Sequence, residues 1–208
     1  MTGKIASAAF ADTGERTVVP LRLHPLESTF VVMSKEQAAP VESASASICR
    51  ATLNDGWRVT FTDKFGKTLR RNNFAICDLK DSADDELRHF SGEAVYSRKF
   101  DCEAPAGARV VLDLGKVGVM AKVTVNGRYV GGVWTAPYSL DITEALRRGE
   151  NTVEISVVNT WVNRLIGDAA KPADKRKTNC NFNDWRSDSP LQSSGLIGPV
   201  RILFEQTK

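Results

Sequence analysis

Four aromatic side chains, Trp134, Tyr138, Trp161 and Trp185, fall at or beyond the ends of apolar runs, beside Gly, Pro and Asn. Rings so placed suit carbohydrate binding. The C–H face of a pyranose stacks on an aromatic ring, while its hydroxyls need partners such as Asn, Asp and Arg. Trp161, Asn163 and Arg164 supply such a set in one short run, and Asp188 lies close to Trp185. The bland alternative is that these tryptophans plug the ends of a core and that Asn163 and Arg164 tie a loop to the backbone. Trp57, which alternates with Val59 and Phe61, reads as core.

Carboxylates offer a second chemistry. Hydrolysis of a glycosidic bond needs one carboxyl to protonate the leaving oxygen and another to attack or to activate water. Asp81, Asp84, Asp85 and Glu86 cluster in a polar, irregular stretch that reads as a solvated loop, and Asp184 and Asp188 form a smaller group. Either group has the oxygen ligands of a structural calcium site. No other cofactor and no metal centre is expected, since the chain has only His24 and His89 as imidazoles and no CxxC pair. Nucleophile elbows, Walker loops and dinucleotide-binding glycine motifs are absent, and no catalytic residue is assigned.

Charge and composition narrow the partners. The 208 residues carry 28 Lys and Arg against 25 Asp and Glu, a net +3. The one basic cluster, Lys171, Lys175, Arg176 and Lys177, reads as a solvated loop, so no nucleic-acid face is expected. No apolar run is long enough to span a bilayer, so no membrane partner is expected. Met1 to Ala11 lacks the layout of a secretory signal. Cys49, Cys77, Cys102 and Cys180 are irregularly spaced and read as buried or half-buried thiols, although two disulfides remain open.

The elements that must hold these residues are strands. Val18 to Leu23 alternates and Thr29 to Met33 is β-rich. The stretch that follows, rich in Ala, Ser and Glu, reads as a linker. This divides the chain into 1–35, terminal strands of a preceding β-domain; 36–48, the linker; and 49–208, one domain. Period-two alternation recurs at Trp57–Phe61, Val95–Phe100, Val110–Leu114, Val119–Val125, Tyr138–Ile142, Val153–Val157 and Val200–Phe204. Residues 66–92 read as irregular. Asn126-Gly127 is the pair that accepts positive φ in a two-residue hairpin, and Gly131-Gly132 would bulge the returning strand. Thr143 reads as the cap of a single helical turn ended by Gly149, and Asn163 to Ser194 as a long polar excursion. Many short strands with almost no helix predict an all-β antiparallel sandwich, a jelly roll, with a short N-terminal β segment.

Val111-Leu-Asp-Leu-Gly115, Val123-Thr-Val-Asn-Gly-Arg-Tyr-Val-Gly131, Tyr138-Ser-Leu-Asp-Ile-Thr143, Leu146-Arg-Arg-Gly-Glu-Asn151 and Ser194-Gly-Leu-Ile-Gly-Pro-Val200 occur in an order and spacing that resembles the galactose-binding-like jelly-roll domain of glycoside hydrolase family 2. His89-Phe-Ser-Gly92, Trp161-Val-Asn-Arg-Leu-Ile-Gly-Asp168, Asp188-Ser-Pro190 and the run Pro20 to Val32 are similar to the C-terminal region of α-L-rhamnosidase-like hydrolases of family 106. The resemblance implies a non-catalytic carbohydrate-binding or accessory domain of a larger glycoside hydrolase. Its partners would be an oligo- or polysaccharide and the catalytic domain of the parent enzyme. By the same resemblance the protein would be periplasmic or secreted, with its catalytic carboxylates in a separate (β/α)-barrel. In the relatives two loops of this domain reach the active-site rim. Here the first, Val117-Gly118, has no polar side chain, while the second, Trp161 to Arg164, does. Two alternatives stay open: a purely structural domain packed on the barrel, and a small independent glycosidase.

Overall fold

The computed structural model describes residues 8, 10–21, 23, 28–33, 47–178, 180 and 184–205. Its body is a β-sandwich. One sheet has six strands: β10 (Arg128–Val133), β9 (Met120–Val125), β12 (Gly149–Val158), β6 (Gly92–Cys102), β4 (Trp57–Asp63) and β5 (Thr68–Phe74), in that spatial order. The facing sheet orders β11 (Ser139–Asp141), β7 (Arg109–Asp113), β14 (Arg201–Glu205) and β3 (Ser47–Thr52). A small ribbon pairs β8 (Lys116–Gly118) with β13 (Gly195–Gly198). All pairings within these sheets are antiparallel.

Alternation explains the layers. Trp57, Val59 and Phe61 of β4, Ala94, Tyr96 and Phe100 of β6, Val153, Ile155 and Val157 of β12, and Ala121, Val123 and Val125 of β9 point inward. They meet Val110, Leu112, Ile202 and Phe204 of the second sheet in one buried cluster. Trp57 is fully buried and its indole Nε1 donates to the Leu53 carbonyl at 2.8 Å. Phe61 meets Phe90 edge-on at 5.2 Å between ring centroids. Burying a side chain of this size contributes about 2–3 kcal/mol, so these four strands fix the register.

The Asn-Gly hairpin forms as the dipeptide predicts, with φ of 51° at Asn126 and 77° at Gly127. The Asn126 amide donates to the Ala145 carbonyl and to Asn151 Oδ1, both at 2.8 Å, and its oxygen accepts from the Thr152 N–H. The register of β10 slips between Tyr129 and Gly131, the bulge expected at the glycine pair.

Several local expectations are corrected. Among the described residues of the N-terminal part, Ala11–Asp12 (β1) and Thr17–Val18 (β2) pair as short strands, and residues 28–33 have no regular secondary structure. Pro20, which lacks an N–H donor, stands just beyond β2. The linker expected at 36–48 lies outside the described residues as far as 46, and β3 begins at Ser47. His24 also lies outside them. Residues 66–92 are not irregular. They contain β5, a polar edge strand, a 3-10 turn at Leu79–Asp81 and helix α1 (Asp85–Arg88). Val117-Gly118 is part of β8 rather than a loop. Ile142, not Thr143, caps the 3-10 turn Thr143–Ala145, and Gly149 opens β12. The Thr143 hydroxyl instead bonds Asp141 Oδ1 and accepts from the Val110 N–H. All four cysteines are free thiols, and only Cys102 is buried.

The main correction lies after β12. Trp161 caps an eight-residue helix, α2 (Val162–Ala169), where a loop was expected. Val162, Leu165, Ile166 and Ala169 carry the i, i+3, i+4, i+7 spacing of a helix. Among the described residues no helix is long and apolar enough to cross a membrane.

Candidate functional site

The end of the six-stranded sheet where β4 and β12 finish and β6 begins gathers unusual side chains. Asp63 pairs with Gly92, Glu93 with Val158, Met120 with Val158, and Val133 with Ala121. Residues just past these pairs therefore share one rim. Among the described residues outside the N-terminal segment 10–33, the exposed large hydrophobics are Ile48, Phe65, Val119, Met120, Tyr129, Trp134, Val158 and Trp161. All of them except Ile48 and Tyr129 lie on this rim. Trp134 follows the first strand of the sheet and Trp161 the third, so their strands run about 10 Å apart. Both rings are exposed, Trp134 at 55% and Trp161 at 41%.

A pocket opens on the rim, lined by Asp63, Lys64, Phe65, Ser91, Gly92, Trp161, Arg164, Lys177 and Thr178. Each wall has a local cause. The β4–β5 turn is drawn tight by Asp63, whose Oδ1 accepts from the N–H groups of Phe65 and Lys67, both at 2.9 Å. The turn carries Lys64 over the Trp161 ring, with Nζ 3.9 Å from the centroid, and over Phe65 at 4.6 Å. Gly92 has φ of 150°, and a Cβ there would lie 2.2 Å from the Thr62 carbonyl oxygen, so β6 enters this close only with glycine. Asn159 stitches the floor: its amide donates to the Phe90 carbonyl and to Ser194 Oγ, and its oxygen accepts from the Gly92 N–H.

Helix α2 brings polar groups inward. Asn163, Arg164 and Asp168 are all buried. Asn163 is committed at both ends of its amide. It donates to the Gln192 carbonyl at 2.7 Å and accepts from the Gln192 N–H at 2.8 Å, so it anchors the chain before β13. Asp168 Oδ2 accepts from the N–H groups of Lys177 and Thr178 and from the Thr178 hydroxyl, at 2.8–2.9 Å. Lys171 Nζ lies 3.5 Å from Oδ1. Burial works to raise the Asp168 pKa, but the Thr178 hydrogen bonds and the Lys171 charge outweigh it and hold the carboxyl below its ordinary value. The loop so pinned presents Lys177 and Thr178 to the pocket.

Arg164 differs. It is 7% exposed, and it makes no hydrogen bond or ion pair with any described residue. Ser91, which lines the same pocket, is 9% exposed, and its Oγ has no partner among the described residues.

The other expected site residues scatter. Tyr138 is half-buried and packs against the core. Trp185 is half-buried. Asp188 is exposed and faces Arg186 Nε at 3.3 Å in a turn closed by Ser189. The pocket thus joins Trp161 and Arg164 of the expected set and adds Lys64, Phe65, Ser91, Lys177 and Thr178. These were missed because the turn and the 170s loop reach Trp161 only through the fold.

The acidic cluster is structural rather than a free loop. Asp84 caps α1 by accepting from the Glu86 N–H and pairs with Arg71 at 2.7 Å. Glu86 takes Lys67 and Lys177, Asp81 takes Lys80, and Asp85 takes Arg88. Hydrogen bonds from Lys67 and then Lys177 hold the Glu86 pKa below its ordinary value. Among the described residues no three His, Cys, Asp or Glu side chains converge on a metal-sized site.

Comparison with known proteins fits this architecture. The structure of a rhamnosidase from Novosphingobium sp. PP1Y superposes with a TM-score of 0.87 at 41% identity, over 98% of this chain and 20% of that one. A protein of Formosa agariphila, provisionally named a β-glucuronidase, is 36% identical over 142 residues, covering 56% of this chain and 12% of that protein. A β-glucuronidase structure from Bifidobacterium dentium, at 22% identity and a TM-score of 0.54, shares the fold over 80% of this chain and 31% of its own. The chain therefore spans a fifth or less of the first two relatives. The family model described as glycosyl hydrolase 2 galactose-binding domain-like matches residues 58–195, most of the sandwich, and the chain belongs to that family.

Proposed function

We propose that this chain is a non-catalytic accessory domain of a larger glycoside hydrolase and that it contacts carbohydrate through the rim. Its partners are an oligo- or polysaccharide and the catalytic domain of the parent enzyme. The carrying observation is that the exposed rings of Trp161 and Phe65 line a pocket with polar walls, with exposed Trp134 on the same sheet rim. Exposed rings at one edge are what pyranose stacking requires. The engaged carboxylates at 81–86 speak against an independent glycosidase, which needs two carboxyls facing each other across a cleft.

A structural role beside this one has its own support. Phe30, Val32 and Met33 are exposed at 87%, 77% and 75%. Such an apolar segment suits packing against a neighbouring domain of the parent enzyme.

Tryptophan fluorescence titration with rhamnose, galactose and plant oligosaccharides tests the carbohydrate reading. A saturable change that weakens in Trp134→Ala and Trp161→Ala is expected. A flat response across the panel at millimolar sugar would leave only the structural role.

A further inference from the structure

We infer that the rim pocket is a carboxylate site and that the sugar it takes is a uronic acid. This deepens the carbohydrate reading above and rests on it. An arginine guanidinium is always charged, and burying a charge without a partner is costly. Nearly every buried charge in a folded protein is paired. Arg164 is 93% buried, lines the pocket and has no partner among the described residues. Ser91, which lines the same pocket, adds a buried hydroxyl that also has no partner among the described residues. A ligand oxygen that accepts from both groups removes both deficits.

The charge around the pocket selects the ligand's sign. Lys64, Arg164 and Lys177 line it against a single carboxylate, Asp63, whose Oδ1 is already held by two backbone N–H groups. Lys177 shares Glu86 with Lys67. Arg164 and Lys64 are left as the uncompensated positive charges. A neutral sugar would leave the buried guanidinium without a counter-charge, whereas a carboxylate supplies the planar pair of oxygens that a guanidinium fork matches.

The walls select a sugar acid over a bare anion. Trp161 and Phe65 border the same opening and are exposed, giving the apolar surface on which a pyranose ring rests. Lys64 Nζ, held over both rings, adds charge at the mouth. The C6 carboxylate would sit toward Arg164 and Ser91, with the ring on the aromatic wall.

The test is calorimetric titration of the chain with D-galacturonate and D-glucuronate, with galactose and glucose as neutral counterparts and acetate as the bare carboxylate. The uronates should bind at least about ten-fold more tightly than either the neutral sugars or acetate, consistent with a charge-assisted hydrogen bond plus stacking. Arg164→Met should reduce uronate affinity about ten-fold or more, a larger factor than any change in neutral-sugar affinity. In the absence of ligand this variant should melt no lower than the parent chain, because an unpaired charge has been removed. Lys64→Met, on the exposed turn, should weaken uronate binding without affecting the fold, and carries the test if Arg164→Met does not fold. Equal binding of uronates and neutral sugars would overturn the inference and leave the carbohydrate reading intact. Equal binding of acetate and uronates would overturn the sugar-acid assignment and point to an acidic side chain of a neighbouring domain. No binding of either sugar class would sink both readings.

Discussion

Asp168→Ala should loosen the loop that completes the pocket, and its cost follows from three bonds. Oδ2 accepts from the Lys177 N–H at 2.9 Å, the Thr178 N–H at 2.8 Å and the Thr178 hydroxyl at 2.8 Å. The residue is 1% exposed, so water does not replace the lost acceptor. At roughly 1 kcal/mol per bond the loss is about 3 kcal/mol. For a chain of this size 1 kcal/mol moves the melting temperature by about 2–4 °C, so a fall of about 6–12 °C is expected by circular dichroism. Asp168→Asn keeps one acceptor oxygen for these donors but loses the charge near Lys171, and should fall by about a third as much. Hydrogen exchange locates the effect: the amides of Lys177 and Thr178 should lose protection, while those of Tyr96 and Ile155 in the central strands change only with global stability. A melting temperature within about 2 °C of the parent chain, or unchanged protection at Lys177 and Thr178, would show that the loop is held by other contacts.

Gly167→Ala places a Cβ 2.6 Å from His89 Cγ, so α2 must shift. The overpacking cost of about 1–3 kcal/mol exceeds the helix-propensity gain of about 1 kcal/mol, and a net loss should appear in urea unfolding. Trp57→Phe leaves the Leu53 carbonyl without its 2.8 Å donor and opens space beside Tyr96, a loss of about 2–4 kcal/mol measurable in the same way. Asn126→Ala removes four side-chain hydrogen bonds and replaces a residue type that tolerates φ 51° with one that does so less readily, and should cost about 2–4 kcal/mol and slow hairpin closure in stopped-flow refolding. Asp168 and Glu86 both titrate below their ordinary values in the folded chain. Their contribution is complete above the unfolded carboxylate pKa of about 4 and is lost as pH falls through the lower folded values. Melting temperatures taken from about pH 5 down to pH 2 should therefore fall, with a shallower slope in Asp168→Asn.

The sandwich was legible in the chain because its strands are half-buried and alternate, and a period of two survives in any single sequence. Trp57-Val59-Phe61 and Val153-Ile155-Val157 declare their inward faces without reference to any partner strand. Asn126-Gly127 was equally legible, because positive φ at both turn positions is a local demand that few residue types meet. Helix α2 was misread because its buried face carries Asn163, Arg164 and Asp168, polar types that composition assigns to solvent. Residues 66–92 were misread for a related reason: an edge strand and two capped short helices bury few side chains, and polar sequence there looks like loop.

The pocket belongs to tertiary structure alone. Lys64 and Trp161 are 97 positions apart, and Ser91 and Arg164 are 73 apart. They meet because antiparallel pairing of β4, β6 and β12 brings the ends of three distant strands to one edge. The sequence determined which side chains have the chemistry to touch a sugar. Whether each is committed to the fold, as Asn163 is to Gln192, or left unpaired like Arg164, depends on neighbours that only strand register and helix docking supply.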